Sequence, residues 1–256
     1  MILSVIHRHT FIHFLFAVFL LIYLFIGLRI YPEYGVPIDE YSQIDIGRVN
    51  YERVVSGGLE IQTHYDRYYG PAFEVPLHVF SNVLSTNVGM DQMSARHLGI
   101  FLFFVFSLVV FYALLSSLHG HPVYGLLGVI LLVSTPRFFA ESFYNSKDIV
   151  FLSATIVVLW VLAHIQKLTW IYVVLLGITT GFTIAVRAQG LLMVPVVVLS
   201  LMITGKSKAS GRVRIAVWYV AMTLLAAFSM FPVFWNDTIK NIVGYWNASS
   251  NPIGVP

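Results

Sequence analysis

Apolar residues occur in long, nearly uninterrupted runs along most of this chain. The first run, residues 11–30, is interrupted only by His13 near its start and Arg29 near its end. Its length of about 20 residues is enough for a helix to cross the roughly 30 Å hydrocarbon core of a bilayer. No small-residue cleavage site follows it, as a secretory signal peptide would require. The run therefore predicts a retained first transmembrane helix.

Six further apolar runs follow closely upon one another in the second part of the chain. They cover residues 97–118, 123–135, 149–165, 170–186, 190–204 and 215–235. Several are short for a spanning helix, and residues 123–135 form the shortest of them. Together with the first run they predict an all-α, polytopic bundle of about seven transmembrane helices.

A polar stretch, residues 31–96, separates the first apolar run from the others and holds most of the twelve acidic residues. Within it, residues 38–55 place apolar side chains at roughly helical spacing between charges, which predicts a helix on the membrane surface. Residues 77–84, after the Gly70-Pro71 break, predict a second one. We therefore expect one membrane domain over residues 1–256, with residues 31–96 as its large outer loop.

The composition supports the membrane class and excludes several kinds of chemistry. Hydrophobic residues make up 58% of the chain and charged residues only 11%, against roughly 25% charged in an ordinary soluble domain. The absence of cysteine excludes thiolate metal sites and cysteine nucleophiles. A formal charge of +3 is too small to indicate nucleic-acid binding. Walker A, dinucleotide and serine-elbow motifs are also absent, so soluble nucleotide chemistry is not expected.

Charge on alternate connections predicts the orientation. With the N-terminus inside, the cytoplasmic segments carry only basic residues, namely Arg8, Lys167, Lys206, Lys208, Arg212 and Arg214. All twelve carboxylates then lie outside, which agrees with the enrichment of Lys and Arg in cytoplasmic loops. Residues 236–256 would lie outside as well, and we expect no amphipathic helix there. A bacterial inner membrane is favoured over the endoplasmic reticulum.

Candidate chemistry begins at Pro37-Ile38-Asp39-Glu40-Tyr41, shortly after the first helix. Two adjacent carboxylates close to the membrane surface are suited to general-base catalysis. Carboxylates in a polar loop are more commonly just solvated.

The connection over residues 135–148 is predicted to open on the same side. It holds Arg137, Glu141, Lys147 and Asp148 beside aromatic residues, a set that would bind a phosphate or position a second carboxylate. Helix capping by its Asn, Ser and Asp residues is the alternative, and the two roles are compatible.

Arg187 lies between two apolar runs with very little loop. Ionisable residues at this depth commonly mark functional sites, although an arginine here could equally extend to the headgroups. Its guanidinium would suit a phosphate oxygen. In the long loop, His64 and Tyr69 belong to a polar and aromatic segment typical of a sugar-binding surface. No spacing there supports a metal site, and no cofactor is expected, although a divalent ion stays conceivable.

These motifs resemble the membrane-embedded C-fold glycosyltransferases, most closely the branch that contains protein O-mannosyltransferases and lipid A aminoarabinose transferases. Asp39-Glu40 looks like the first acidic motif of that branch, and Asp148 looks like the second. Arg187 falls where those enzymes place a basic residue that faces the lipid phosphate. Family members continue with more helices, so the chain resembles the N-terminal module alone.

The resemblance implies a sugar donor on a polyprenyl or dolichyl phosphate and an acceptor hydroxyl on a protein or lipid. Asp39 would act as the base, Glu40 would orient the base or the sugar, and Arg187, with Lys147 or Arg137, would bind the phosphate. Two alternatives stay open. One is a small-molecule transporter, disfavoured because the helix interiors are nearly free of charge. The other is a non-catalytic assembly subunit or a truncated remnant.

Overall fold

The computed structural model describes residues 2–165, 170–204 and 209–250, with side chains described from residue 9 to 248 apart from residue 204. Within those ranges the chain is all-α and contains no strand, so the all-α part of the predicted fold class is confirmed. The first six helices are α1 Ile2–Ile30, α2 Glu40–Ser56, α3 Glu74–Val88, α4 Gln92–His119, α5 Pro122–Ser134 and α6 Pro136–Glu141. They are followed by α7 Asp148–His164, α8 Trp170–Val186, α9 Met193–Thr204, α10 Ala209–Ser229 and α11 Thr238–Ser250.

Three of these helical segments are long and apolar enough to cross a membrane: His9–Glu33, Gln92–His119 and Ala209–Ser229. Four more are apolar but shorter: Pro122–Ser134, Asp148–His164, Trp170–Val186 and Ala188–Ile203. At 1.5 Å per residue, a helix of 17 residues covers about 26 Å, slightly less than the hydrocarbon core. The predicted count of seven spans therefore stays a prediction. Lys167, Lys206 and Lys208, on which the predicted orientation partly rests, lie outside the described residues.

The predicted boundaries differ from the observed ones where proline and short turns interrupt the apolar pattern. The run 215–235 was predicted as one helix, but α10 ends at Ser229 and a 3₁₀ turn, Pro232–Trp235, follows it. Proline lacks the backbone donor that a helix interior needs. Similarly, the start of the run 190–204 lies in a 3₁₀ turn, Ala188–Leu192. Our expectation of no amphipathic helix in residues 236–256 is wrong, because α11 forms there.

The helices group into two compact units. The first comprises Met1–Pro37 and Phe80–His164. Its core is an aromatic cluster that includes Phe16, Tyr23, Phe101, Phe104 and Phe143. Gly27 of α1 lies directly against the ring of Phe101, where any larger residue would collide. The buried hydroxyls of Ser153 and Ser107 join α7 to α4 at 3.0 Å.

The second unit comprises Ile38–Val79 and Ile165–Pro256. Its best-packed pair is α8 with α10, which approach closely because Gly177 and Gly181 present no side chain. This spacing of small residues lets helix backbones come together in membranes. The hydroxyl of Tyr219 donates a hydrogen bond to Thr180 at 3.2 Å across the same contact. The prediction of one membrane domain over residues 1–256 stays a prediction.

Candidate functional site

Asp39 and Glu40, the adjacent carboxylates predicted as the catalytic pair, occupy opposite environments at the start of α2. Asp39 is the N-cap residue and is exposed, and its side chain makes no capping hydrogen bond. Its backbone carbonyl accepts a hydrogen bond from the Gln43 amide at 3.1 Å. Glu40 is fully buried. Of the two, Asp39 is therefore the carboxylate that an incoming substrate can reach.

The buried side of α2 is unusually polar. Glu40, Gln43 and Asn50 lie on it with little or no solvent exposure. Gly47 sits between them against α3, where a Cβ would lie 2.8 Å from the Glu74 carbonyl. Buried polar groups need hydrogen-bond partners to offset their desolvation, and the Asn50 amide donates to the Ile46 carbonyl of the same helix at 2.9 Å. The close contact at Gly47 sets the distance between α2 and α3 within the second unit.

An ion-pair network covers the outer side of the same helix. Arg48 donates to Asp45 at 2.7 Å, to Glu52 at 3.0 Å and to Glu60 at 2.7 Å. These carboxylates raise the pKa of Arg48 above its usual value. The hydrogen bond from Arg48 also lowers the pKa of Glu60. The guanidinium thus ties the middle of α2 to the turn that carries Glu60.

His64 is held by both of its ring nitrogens. Nε2 lies 2.7 Å from Asp45 Oδ2, and Nδ1 accepts a hydrogen bond from the Asp66 amide at 3.2 Å. The second bond leaves the proton on Nε2, which donates to Asp45. Ser42 in turn donates to the Asp66 carboxylate. His64 therefore fixes the loop to α2, and its predicted part in sugar binding stays a prediction.

The loop that follows carries Tyr69 and packs against the end of α8. Gly70 touches the carbonyls of Ala185 and Val186, and the Ala72 amide donates to the Ala185 carbonyl at 3.2 Å. Arg187 comes next in the chain, half-buried and extended, before the 3₁₀ turn Ala188–Leu192. Tyr69, whose side chain is half exposed, is thus attached beside the segment that carries Arg187.

The first unit contains the other predicted residues, which are arranged around Asn145. Arg137 pairs with Glu141 at 2.7 Å on α6. The Asn145 side-chain amide donates to Glu141 and to Asp148, at 3.2 Å in each case. Its Oδ1 accepts hydrogen bonds from the amides of Lys147 and Asp148 at the start of α7. One asparagine therefore caps a helix and joins two carboxylates, so the capping role predicted for this connection is observed.

The predicted site residues thus fall into two sets. Asp39, Glu40, His64, Tyr69 and Arg187 belong to the second unit, and Arg137, Glu141, Lys147 and Asp148 belong to the first. The pairing of His64 with Asp45 and the bridging role of Asn145 were not predicted from the sequence. The spacing of Asp45 and Arg48 on one helical face was a readable signal for their own ion pair. Among the described residues, no group of three or more acidic or histidine side chains is arranged to hold a metal ion.

Residues 74–235 match the family model described as dolichyl-phosphate-mannose-protein mannosyltransferase. The chain belongs to this family. The matched segment covers most of the chain and includes every helix from α3 to α10, together with Arg187 and the connection around Asn145. No curated protein and no solved structure gives a significant match.

This family is one of membrane glycosyltransferases of the C-fold type that use polyprenyl-phosphate-linked sugar donors, and the chain is a multi-pass membrane protein. The predicted family resemblance is confirmed. Asp39, Glu40, His64 and Tyr69 precede the matched segment, so their roles rest on the geometry and motifs described above.

Proposed function

We propose that this chain transfers a sugar, with inversion, from a polyprenyl- or dolichyl-phosphate donor to an acceptor hydroxyl on the outer face of the membrane. Family membership supports the donor class. The structural observation that supports the proposal further is the position of Asp39 at the start of a firmly held helix. Its carboxylate is exposed and makes no capping hydrogen bond.

Asp39 is the proposed general base. Its carboxylate takes the proton of the acceptor hydroxyl while the acceptor oxygen forms a bond to the anomeric carbon. The bond between that carbon and the phosphate oxygen breaks, and the lipid phosphate leaves with the electron pair. A base must reach to within about 3 Å of the proton it removes, and the exposure of Asp39 permits this approach. Attack opposite the leaving phosphate inverts the anomeric configuration.

Glu40 and Arg187 are the proposed supporting residues in the same unit. Glu40, fully buried beside Asp39, is proposed to orient the base or the sugar. Arg187 is proposed to bind the lipid phosphate, because a guanidinium fork matches phosphate oxygens and stabilises the charge that builds up as the phosphate leaves. Asp148, with Glu141, is proposed as the second acidic position of the family. Phosphate contacts from Lys147 and Arg137 stay predictions.

The orientation is part of the proposal. With the N-terminus in the cytoplasm, Asp39 lies on the periplasmic or lumenal side, where the reaction needs no nucleotide. The chain has no cysteine, so a cysteine placed at exposed Gly35 is a unique label site. We expect a membrane-impermeant maleimide to label it in intact bacterial cells. Labelling only after lysis would contradict the outer placement.

The decisive experiment compares Asp39→Asn with Glu33→Gln, a neighbouring exposed carboxylate outside the proposed site. Both proteins are purified in lipid nanodiscs and supplied with radiolabelled polyprenyl-phosphate mannose and either a Ser/Thr-containing peptide or a lipid acceptor. Loss of a general base lowers rates by about 10²–10⁴-fold, so we expect that loss for Asp39→Asn and none for Glu33→Gln.

Two outcomes would overturn the proposal. A wild-type rate for Asp39→Asn would remove Asp39 as the base. A correctly inserted wild-type chain that is inactive with each donor and acceptor would favour the transporter or assembly-subunit alternatives. The anomeric configuration of the product, determined by NMR, tests inversion separately.

A further inference from the structure

Helix α11 is attached to the second unit by one of its faces. Asn241 is buried, and its amide donates to Val233 and Asn236 carbonyls at 2.9 and 2.8 Å. On the same side, Gly244 lies against the ring of Tyr68. The Tyr245 ring meets Phe231 edge-on at 5.6 Å. This face of α11 therefore already has its partners.

A second face of α11 is apolar and exposed to solvent. Ile239 is 81% exposed, Ile242 49%, Val243 54% and Trp246 67%. Residues three and four positions apart lie on one stripe of a helix, so these four side chains form a continuous apolar stripe. In water such a stripe of large side chains would be costly, and exposed apolar patches mark contact surfaces.

A third face of the same helix is polar. Lys240 and Asn247 are both exposed, and at about 100° per residue they lie between the apolar stripe and the attached face. Around its axis the helix thus presents an apolar face, then a polar face beside it, and the attached face opposite the apolar one. This is the arrangement of a helix that rests on a membrane, with one side in the acyl chains and the next in the headgroups.

The chain also keeps α11 close to the end of a membrane span. The Trp235 indole donates to the Phe228 carbonyl near the end of α10 at 3.1 Å, and the 3₁₀ turn Pro232–Trp235 folds back there. Ala209–Ser229 is long and apolar enough to cross the bilayer. With 13 residues, α11 covers only about 20 Å and is too short to cross itself.

We propose that α11 lies flat in the lipid interface, with the stripe formed by Ile239, Ile242, Val243 and Trp246 in the acyl-chain region. The occupant of the exposed stripe is therefore the bilayer. Because the Tyr68 hydroxyl donates to Asn241 at 3.3 Å, the helix also holds the loop that carries Tyr69 at that depth. The inference depends on membrane insertion and is independent of the proposed catalytic roles.

The test uses nitroxide labels on single cysteines, since the natural chain has none. Labels are placed at Ile239, Val243 and Trp246 on the apolar stripe, and at Lys240 and Asn247 as matched controls on the polar face. Each variant is reconstituted in nanodiscs of phosphatidylcholine and phosphatidylglycerol, and its collision rates with oxygen and with a nickel chelate are measured. We expect a high oxygen-to-nickel ratio at the three stripe positions and a low ratio at the two controls.

Other results would overturn the proposal. High nickel accessibility at all five positions would place α11 in water. Low accessibility to both reagents at the stripe would indicate coverage by protein, and dipolar broadening between labels would identify that protein as a second copy. Circular-dichroism melts of each labelled variant establish that the protein as a whole is folded. The labels at Lys240 and Asn247 still report the accessibility of the polar face of α11 if a variant on the stripe is destabilised.

Discussion

Gly70 packs so closely against the Val186 carbonyl group that a Cβ at position 70 would lie 2.6 Å from the carbonyl carbon. The obstacle is backbone, which cannot move aside as a flexible side chain can. This contact attaches the loop of Tyr69 to the end of α8, immediately before Arg187. The polar loop, residues 31–96, is therefore fixed next to the segment that carries the proposed phosphate-binding residue.

We therefore expect Gly70→Ala to lower the melting temperature and to reduce sugar transfer. Forcing one extra carbon into a packed site costs about 1–3 kcal/mol. Gly35→Ala is the matched control, because nothing lies within 4 Å of a Cβ at position 35. Circular-dichroism melts in detergent and transfer assays are the measurements. Equal melting temperatures for the two variants would show that the loop is not fixed by this contact.

Asn145 allows its two roles to be tested separately. Asn145→Ser keeps a side-chain oxygen that can accept hydrogen bonds from the backbone amides of α7, but it loses the side-chain amide that donates to Glu141 and Asp148. Asn145→Ala loses both the oxygen and the side-chain amide. Replacing a cap residue by alanine costs about 1 kcal/mol. We therefore expect a lower melting temperature for Asn145→Ala alone and reduced transfer for both variants. Normal transfer by Asn145→Ser would mean that the link between the two carboxylates has no catalytic importance.

The helices could largely be predicted from the sequence because apolar runs in a membrane protein are long and bounded by polar residues. The predicted run 170–186 coincides with α8, Trp170–Val186. Errors arose where apolar residues continue through a turn, as at Pro232–Trp235. Hydropathy does not distinguish an apolar 3₁₀ turn from a helix.

The site was less predictable, because its arrangement depends on contacts between distant residues. The motif Asp39-Glu40 was evident in the sequence. That Asp39 is exposed while Glu40 is buried follows from the packing of α2 on α3 through Gly47. The pairing of His64 with Asp45 joins residues from separate segments. The helix α11 was missed because its apolar residues are few and spaced, and its amphipathic pattern is short.

The ion-pair network around Arg48 predicts a pH dependence of stability. Burial opposes ionisation of Asp45, but hydrogen bonds from His64 and Arg48 outweigh it, and the pKa of Asp45 is lowered from 3.8. When the pKa of a carboxyl group is lower in the folded state than in the unfolded state, the ionised group stabilises the fold at pH values above its unfolded pKa. That stabilisation is lost as the pH falls below 3.8 through the folded pKa.

We expect Asp45→Asn to lower the melting temperature at pH 7, and the difference from wild type to vanish on acidification below the folded pKa. Asp45 is 43% exposed, so the effect should be modest, about 1 kcal/mol or less. Glu33→Gln, at an exposed carboxylate, should show no difference at any pH. A constant deficit for Asp45→Asn across the acid range would indicate a packing defect instead of a lost charge interaction.

The close approach of α8 and α10 makes a last prediction possible. A Cβ at position 181 would lie 2.6 Å from the Ala226 Cβ, 2.9 Å from the Ala227 backbone nitrogen and 2.9 Å from the Thr223 carbonyl oxygen. Gly181→Ala should therefore separate the helices and lower the melting temperature. Ala226→Gly removes the nearest of these three atoms, so the double variant should recover part of the loss, and the double-mutant cycle should show coupling. The exposed substitution Ile178→Val on the same helix should leave the melting temperature unchanged. Purely additive effects would mean that positions 181 and 226 are not in contact in the bilayer.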